Sequence, residues 1–150
     1  MSYQEKNITV SLISYILILG FFLANMVQMV QGAGLDQARV FTLWVTVIIA
    51  TIIVNIVASI LTNIVLSIVH AIKTRSNSTE RFIADERDKL IELKGTRLSY
   101  ISFSIGVFLS MLTFVFGQPP LVMFSLIIFF SILAELVGGI SQLTLYRRGL

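Results

Sequence analysis

Residues 121–146 read LVMFSLIIFFSILAELVGGISQLTLY, an apolar run whose interior holds a single acidic side chain, Glu135, and no basic one. A helix needs about 20 apolar residues to cross the roughly 30 Å of hydrocarbon in a bilayer, and this run is longer. In lipid, every backbone N–H and C=O group must find its partner within the segment, so the run is predicted to be a membrane-spanning α-helix.

Three further apolar segments precede this one, at about residues 8–30, 40–72 and 98–116. The second is longer than a bilayer requires, so it must tilt or continue beyond the membrane. Composition agrees, because 56% of the residues are hydrophobic and 13% are charged, whereas a soluble domain has about 45–50% and 25%. The sequence therefore predicts one all-α membrane domain, a four-helix transmembrane bundle.

The orientation of this bundle is predicted by its lysines and arginines, which favour the cytoplasmic side. Ten of the eleven lie in the amino terminus, the loop 73–97 or the carboxyl terminus, and Arg39 alone lies on the opposite face. Four spans place those three regions on one side. We therefore expect both termini and the loop to be cytoplasmic, with a tight turn at 117–120 on the other side.

The cytoplasmic loop is predicted to be helical from Thr79 to Lys94, because this stretch contains no glycine or proline. Asp85 lies four residues from Arg81 and four from Lys89, a spacing that pairs opposite charges on a helix surface. Gly95 then predicts a bend into the third span. We interpret the loop first as a solvated extension of the bundle, and second as a docking surface for a partner or for anionic lipid.

The run from Asp85 to Arg97, DERDKLIELKGTR, resembles a motif of small bacterial membrane proteins with four spans. In that group an Asp-Glu-Arg triplet, then isoleucine, then lysine come just before the third span. The resemblance implies a bacterial inner-membrane location and the same topology, and it implies no activity. It makes Asp85, Glu86, Arg87 and Lys94 candidate cytoplasmic contact residues.

Several chemistries are excluded by residue counts. The chain has no cysteine and one histidine, so disulfides, thiolate metal sites and multi-histidine metal sites cannot form within it. No Gly-rich phosphate loop or Ser/His/Asp set is present. We therefore expect no catalytic residues, no metal, no cofactor and no nucleic-acid partner.

Polar residues inside the predicted spans form a candidate site around Glu135. A carboxyl group in hydrocarbon is costly and by default marks function. Ser131 and Gln142 share its helix face, and the second span carries polar residues every four positions. Asn63 should lie at the depth of Glu135. The predicted intramembrane polar site comprises Glu135, Asn63, Ser131, Gln142, Asn55 and Ser59.

Two interpretations of Glu135 stay open. In one, Glu135 locks the fourth helix to the second through hydrogen bonds; in the other, it exchanges a proton or binds a cation.

The third span carries small residues three or four positions apart, which predict a seam for close helix packing: Ser99, Ser102, Gly106, Ser110 and Thr113.

Our first functional hypothesis is a non-enzymatic membrane protein, an accessory subunit or small regulator, that acts through protein–protein contacts. Besides the lipid bilayer, its partner would be a second copy or another membrane protein, bound through the Asp85–Arg97 segment. The alternative is a small proton-coupled transporter that uses Glu135. Small multidrug exporters have a similar plan, four spans and one buried carboxyl, although theirs lies in the first span.

Overall fold

The computed structural model describes the backbone of residues 3–32, 34–74 and 86–148. Side chains are described for the same residues except 3, 4, 6, 58, 59, 61–63, 65–74 and 86. Four α-helices account for nearly all of these described residues, and no strand is present among them. They are α1 (Tyr3–Gln31), α2 (Gln37–Thr74), α3 (Glu86–Val115) and α4 (Pro120–Arg147). The predicted all-α, four-helix fold is confirmed.

All four helices are long and apolar enough to cross a bilayer. The qualifying stretches are Asn7–Gln31, Gln37–Val57, Arg87–Val115 and Pro120–Arg147. Large apolar side chains such as Leu17 and Phe108 point outward and are more than 60% exposed, as expected for a surface that faces lipid rather than water. The chain is therefore a multi-pass membrane protein.

Local signals end the helices at the two short connections. Gly117 has φ +81°, the left-handed conformation that glycine adopts without strain. Its amide donates to Phe114 O at 3.0 Å and the amide of Gln118 donates to Thr113 O at 3.1 Å, a Schellman stop. Pro119 and Pro120 then begin α4, which confirms the predicted tight turn.

At the other connection, the Asp36 carboxylate accepts a hydrogen bond from the Arg39 amide at 3.2 Å and caps the start of α2. We call the end of the bundle that holds these two connections the hairpin end. The opposite end, with the first residues of α1 and α3 and the last residues of α4, is the terminal end.

Helix α4 lies at the centre of the assembly. It packs extensively on α3, less extensively on α1 and slightly on α2, and α1 also packs on α2. Among the described residues, α3 does not approach α1 or α2. A gap therefore separates α1 from α3, with α4 as its floor.

The gap is flanked by two packed regions. On one side, buried apolar residues of α1, α2 and α4, among them Phe22, Val47 and Ile132, form one core. On the other side, α3 and α4 meet through small residues. Ser110 is fully buried, and a Cβ atom on Gly106 would collide with Phe130. The predicted packing seam of the third span is confirmed at these positions.

The loop helix differs from its prediction. Residues 75–85 lie outside the described part of the chain, so the helix expected from Thr79 is tested only from residue 86 onward, where it is present. The helix continues unbroken through Gly95, the residue at which the sequence predicted a bend, and forms α3. Gly95 is buried against Gln142 of α4. Its missing side chain permits close packing of the two helices.

Candidate functional site in the gap between α1 and α3

The gap between α1 and α3 is an open cleft of about 610 Å³, which we call the Glu135 cleft. Its deep part holds Glu135 of α4, Tyr15 of α1 and Asn55 of α2. Its mouth, at the terminal end, holds Glu92 of α3 and Gln142 of α4. Gln142 is seven residues after Glu135, so the cleft runs about 10 Å along the helix axis between them.

The structure brings four of the six predicted intramembrane residues to this one cleft: Glu135, Ser131, Gln142 and Asn55. The first three share a face of α4 because their spacings of four and seven residues match the helical repeat. Ser59 and Asn63 belong to α2, but their side chains lie outside the described part of the structure. The predicted contact between Asn63 and Glu135 therefore stays a prediction.

Glu135 lies in the cleft with its side chain exposed to the open space. Its carboxyl group forms no hydrogen bond and no ion pair with any described residue. Ser131, one turn away, donates its hydroxyl proton to Ile128 O of its own helix at 2.7 Å. Among the described residues, the carboxyl oxygens of Glu135 therefore have no hydrogen-bond donor.

The charge of the cleft is of one sign. Its described lining contains two carboxylates, Glu92 and Glu135, and no lysine, arginine or histidine. The lack of basic residues in this described lining is unexpected for a cleft that reaches the terminal end, because the loop and the terminal end carry nearly all the basic residues of the chain. Low-dielectric walls strengthen the field of such carboxylates, so the cleft attracts cations and repels anions.

Asn55 has a partner that the sequence did not predict. The Tyr15 hydroxyl donates a hydrogen bond to Asn55 Oδ1 at 2.8 Å and joins α1 to α2 beside the cleft. The sequence contained a signal for this bond. Tyr15 lies far from both membrane–water interfaces, and its hydroxyl group must find an acceptor in hydrocarbon. This bond uses the Asn55 amide oxygen and leaves the amide N–H groups for other acceptors.

The second predicted site is the set of candidate cytoplasmic contact residues. The motif that contains them has described side chains on two different faces of α3. Arg87 and Lys94 are exposed. Asp85 and the side chain of Glu86 lie outside the described part. In the same motif Ile91 is 3% exposed.

Asp88 belongs to the same inward-facing side of α3 as Ile91. Its Oδ1 atom accepts a hydrogen bond from the Tyr146 hydroxyl of α4 at 2.9 Å. The motif that suggested a contact surface therefore also serves to hold α3 on α4.

No group of three His, Cys, Asp or Glu side chains among the described residues could hold a metal ion. Comparison with protein-family models, with curated proteins and with solved structures finds no match to this chain.

Proposed function

We propose that the protein binds cationic ligands in the Glu135 cleft and acts as a small, non-enzymatic transporter coupled to protons. The observation that carries this proposal is the pair of carboxylates in an open cleft whose described lining has no basic residue. A carboxyl group that no described neighbour engages can exchange a proton for a cation, which is the step that a proton-coupled transporter requires.

The ligand class follows from the walls of the cleft. Tyr15, Phe103 and Leu12 line it together with the two glutamates. Aromatic faces attract cations, and apolar side chains accept the hydrophobic part of an amphiphile. A lipophilic monovalent cation therefore suits the cleft better than a strongly hydrated metal ion.

Equilibrium binding of tetraphenylphosphonium to the purified full chain in neutral detergent tests the proposal. Tetraphenylborate, which has nearly the same shape and the opposite charge, serves as the control for hydrophobic binding. We expect the cation to bind at least ten times more tightly than the anion. Glu135→Gln should weaken cation binding by at least tenfold, about 1.4 kcal/mol, and should not weaken anion binding.

Two variants make this test specific. Glu92→Gln, at the mouth, should weaken binding by less than Glu135→Gln because its charge lies farther from the bound cation. Asp36→Asn removes a carboxylate at the hairpin end and keeps the helix cap, so its binding should match wild type. Equal affinity of wild type and Glu135→Gln for tetraphenylphosphonium would contradict the proposal.

Proton coupling has its own measurement. In weakly buffered solution, cation binding to wild type should release protons, and this release should vanish in Glu135→Gln. In reconstituted vesicles a pH gradient should drive cation flux through wild type only. Cation binding without proton release would support the cation site and contradict the proposed proton-coupled transport.

We further propose that the protein resides in a bacterial inner membrane with both termini in the cytoplasm, as the charge distribution and the motif support. The chain contains no cysteine, so a single introduced cysteine is its only thiol. An impermeant thiol reagent added to intact spheroplasts should label Gln118→Cys and not Arg148→Cys. The reverse pattern would overturn the orientation.

A second candidate function is contact with another protein through the outer face of α3. Leu90 is 56% exposed and Leu93 is 67% exposed, next to the exposed Arg87 and Lys94. Paired apolar and basic side chains of this kind suit a membrane-protein partner or a second copy. Arg87→Glu should reduce partner recovery or dimer formation in mild detergent, whereas Arg148→Glu, at the same end, should not.

A further inference from the structure

A second polar cleft lies at the hairpin end, between α1 and α2, with a volume of about 400 Å³. We call it the Arg39 cleft. Arg39, Thr42 and Thr46 line it from α2, and Asn25 and Gln28 line it from α1. It shares no residue with the Glu135 cleft. Its charge is also opposite, because Arg39 is the only charged residue in its described lining.

The Arg39 guanidinium forms no ion pair or hydrogen bond with any described residue. The acidic residue nearest in sequence is Asp36, and one of its carboxylate oxygens accepts a hydrogen bond from the Arg39 backbone amide. Asp36 also lines a different cavity on the other side of α2. An arginine presents five N–H donors in a planar fork that matches the oxygens of a phosphate or carboxylate. Among the described residues, these donors have no acceptor.

The amides of α1 add donors to the same cleft. Gln28 is exposed, and its side chain has no hydrogen-bond partner among the described residues. Asn25 donates one N–H to Phe21 O at 2.8 Å and keeps its second N–H. Three side chains from two helices thus offer N–H groups to one space, which favours an anionic oxygen ligand.

The position of the cleft indicates where the anion comes from. Arg39 is the third residue of α2, and Trp44, five residues further along, is 41% exposed, as are tryptophans at the boundary between hydrocarbon and headgroups. The remaining walls include the apolar Phe21, Met29 and Leu43. A ligand with a phosphate at the interface and a chain in the hydrocarbon fits both parts.

We infer that the Arg39 cleft binds the phosphate group of an anionic membrane lipid between α1 and α2 at the hairpin end. The bound headgroup joins the two helices at the point where they separate toward their connection. The site is independent of the Glu135 cleft, so lipid binding here neither requires nor supports cation transport.

Thermal unfolding of the full chain in dodecylmaltoside micelles, with and without phosphatidylglycerol, tests the site. A ligand that binds only the folded state raises Tm, and we expect phosphatidylglycerol to raise the Tm of wild type by roughly 3 °C. Phosphatidylcholine, whose choline neutralises its phosphate, should give less than half of this rise. Arg39→Gln should abolish most of the difference between the two lipids, and Arg39→Lys should keep part of it.

Arg148→Gln is the matched control, because Arg148 is an exposed arginine at the opposite end; its response should equal that of wild type. Tm without lipid shows whether Arg39→Gln is folded, and native mass spectrometry gives the number of bound lipids independently. One lipid fewer in Arg39→Gln supports the site. An equal Tm response and an equal lipid count in wild type and Arg39→Gln would overturn it. Inorganic phosphate that reproduces the whole rise would overturn the assignment to lipid.

Discussion

Glu135 and Gly138 lie one turn apart on α4 and both line the Glu135 cleft, but their immediate surroundings differ. Around Gly138 the helices α3 and α4 touch so closely that a Cβ atom there would collide with the Ser99 side chain and lie 3.1 Å from Gly95 O. Around Glu135 the neighbouring helices stand apart and leave the cleft. Both surfaces contain small and polar residues, so residue type alone does not distinguish packing from an open site.

The difference lies in where the polar groups find partners. In the α3–α4 interface Ser110 donates to Gly106 O of its own helix at 2.8 Å, which leaves a closed surface that another helix can cover. In the cleft, the Glu135 carboxyl group has no partner among the described residues. A closely packed membrane interface requires partners for its polar groups, within one helix or across two, since an unpaired group in hydrocarbon is costly.

The largest effect is expected from Gly138→Leu. A side chain there must push α3 away from α4, and overpacking of this kind costs about 3 kcal/mol or prevents folding. The matched control is Gly20→Leu, because nothing lies within 4 Å of a Cβ atom at Gly20; there the change should be neutral or stabilising. Thermal unfolding in detergent measures both. Similar Tm losses for the two variants would mean that the interface is not close-packed.

The second prediction concerns water in the cleft. As single cysteines, Ser131→Cys lines the cleft and Ser110→Cys replaces a residue that is 0% exposed. A water-soluble maleimide should react with the first at least ten times faster, a difference of about 1.4 kcal/mol in effective access. Both variants are measured before and after denaturation as a control. Equal protection of the two thiols would show that the cleft is closed to water.

A smaller effect is expected from Tyr15→Phe, which removes the interhelical hydrogen bond to Asn55 and keeps the aromatic ring. The loss should be about 0.6–1 kcal/mol, as for other hydrogen bonds between membrane helices. Tyr100→Phe is the control, since Tyr100 also lines the cleft and is 70% exposed, and its hydroxyl group has no hydrogen-bond partner among the described residues. Chemical unfolding of both variants tests this prediction. Equal stability of the two variants would show that the hydrogen bond between α1 and α2 does not stabilise the fold.

The smallest change in stability is expected from Glu135→Gln. If the carboxyl group is free for a ligand, the amide should change the free energy of unfolding by less than about 0.5 kcal/mol. If Glu135 instead locks α4 to α2, Glu135→Ala should cost about 1–2 kcal/mol and Glu135→Gln little. The alanine variant therefore separates the two interpretations. A large loss in Glu135→Ala would assign Glu135 to the packed part of the molecule.

Which parts of this fold could be predicted depends on the range of the interactions involved. The four helices, the Gly117 stop and the small face of the third span follow from the sequence, because hydrocarbon thickness and backbone pairing act within a segment. The face shared by Ser131, Glu135 and Gln142 follows in the same way from the helical repeat. For these features no partner helix had to be known.

Tertiary structure alone decided which helices touch. The sequence does not predict that α3 packs on α4 and stays apart from α1. The Glu135 cleft exists only because of that arrangement. It also decided that Asn55 accepts a hydrogen bond from Tyr15, forty residues away in the chain, and that Gly95 lies in close contact with Gln142. Small residues permit close approach on any face where they occur, and the complementary surface of another helix determines which of these faces is covered.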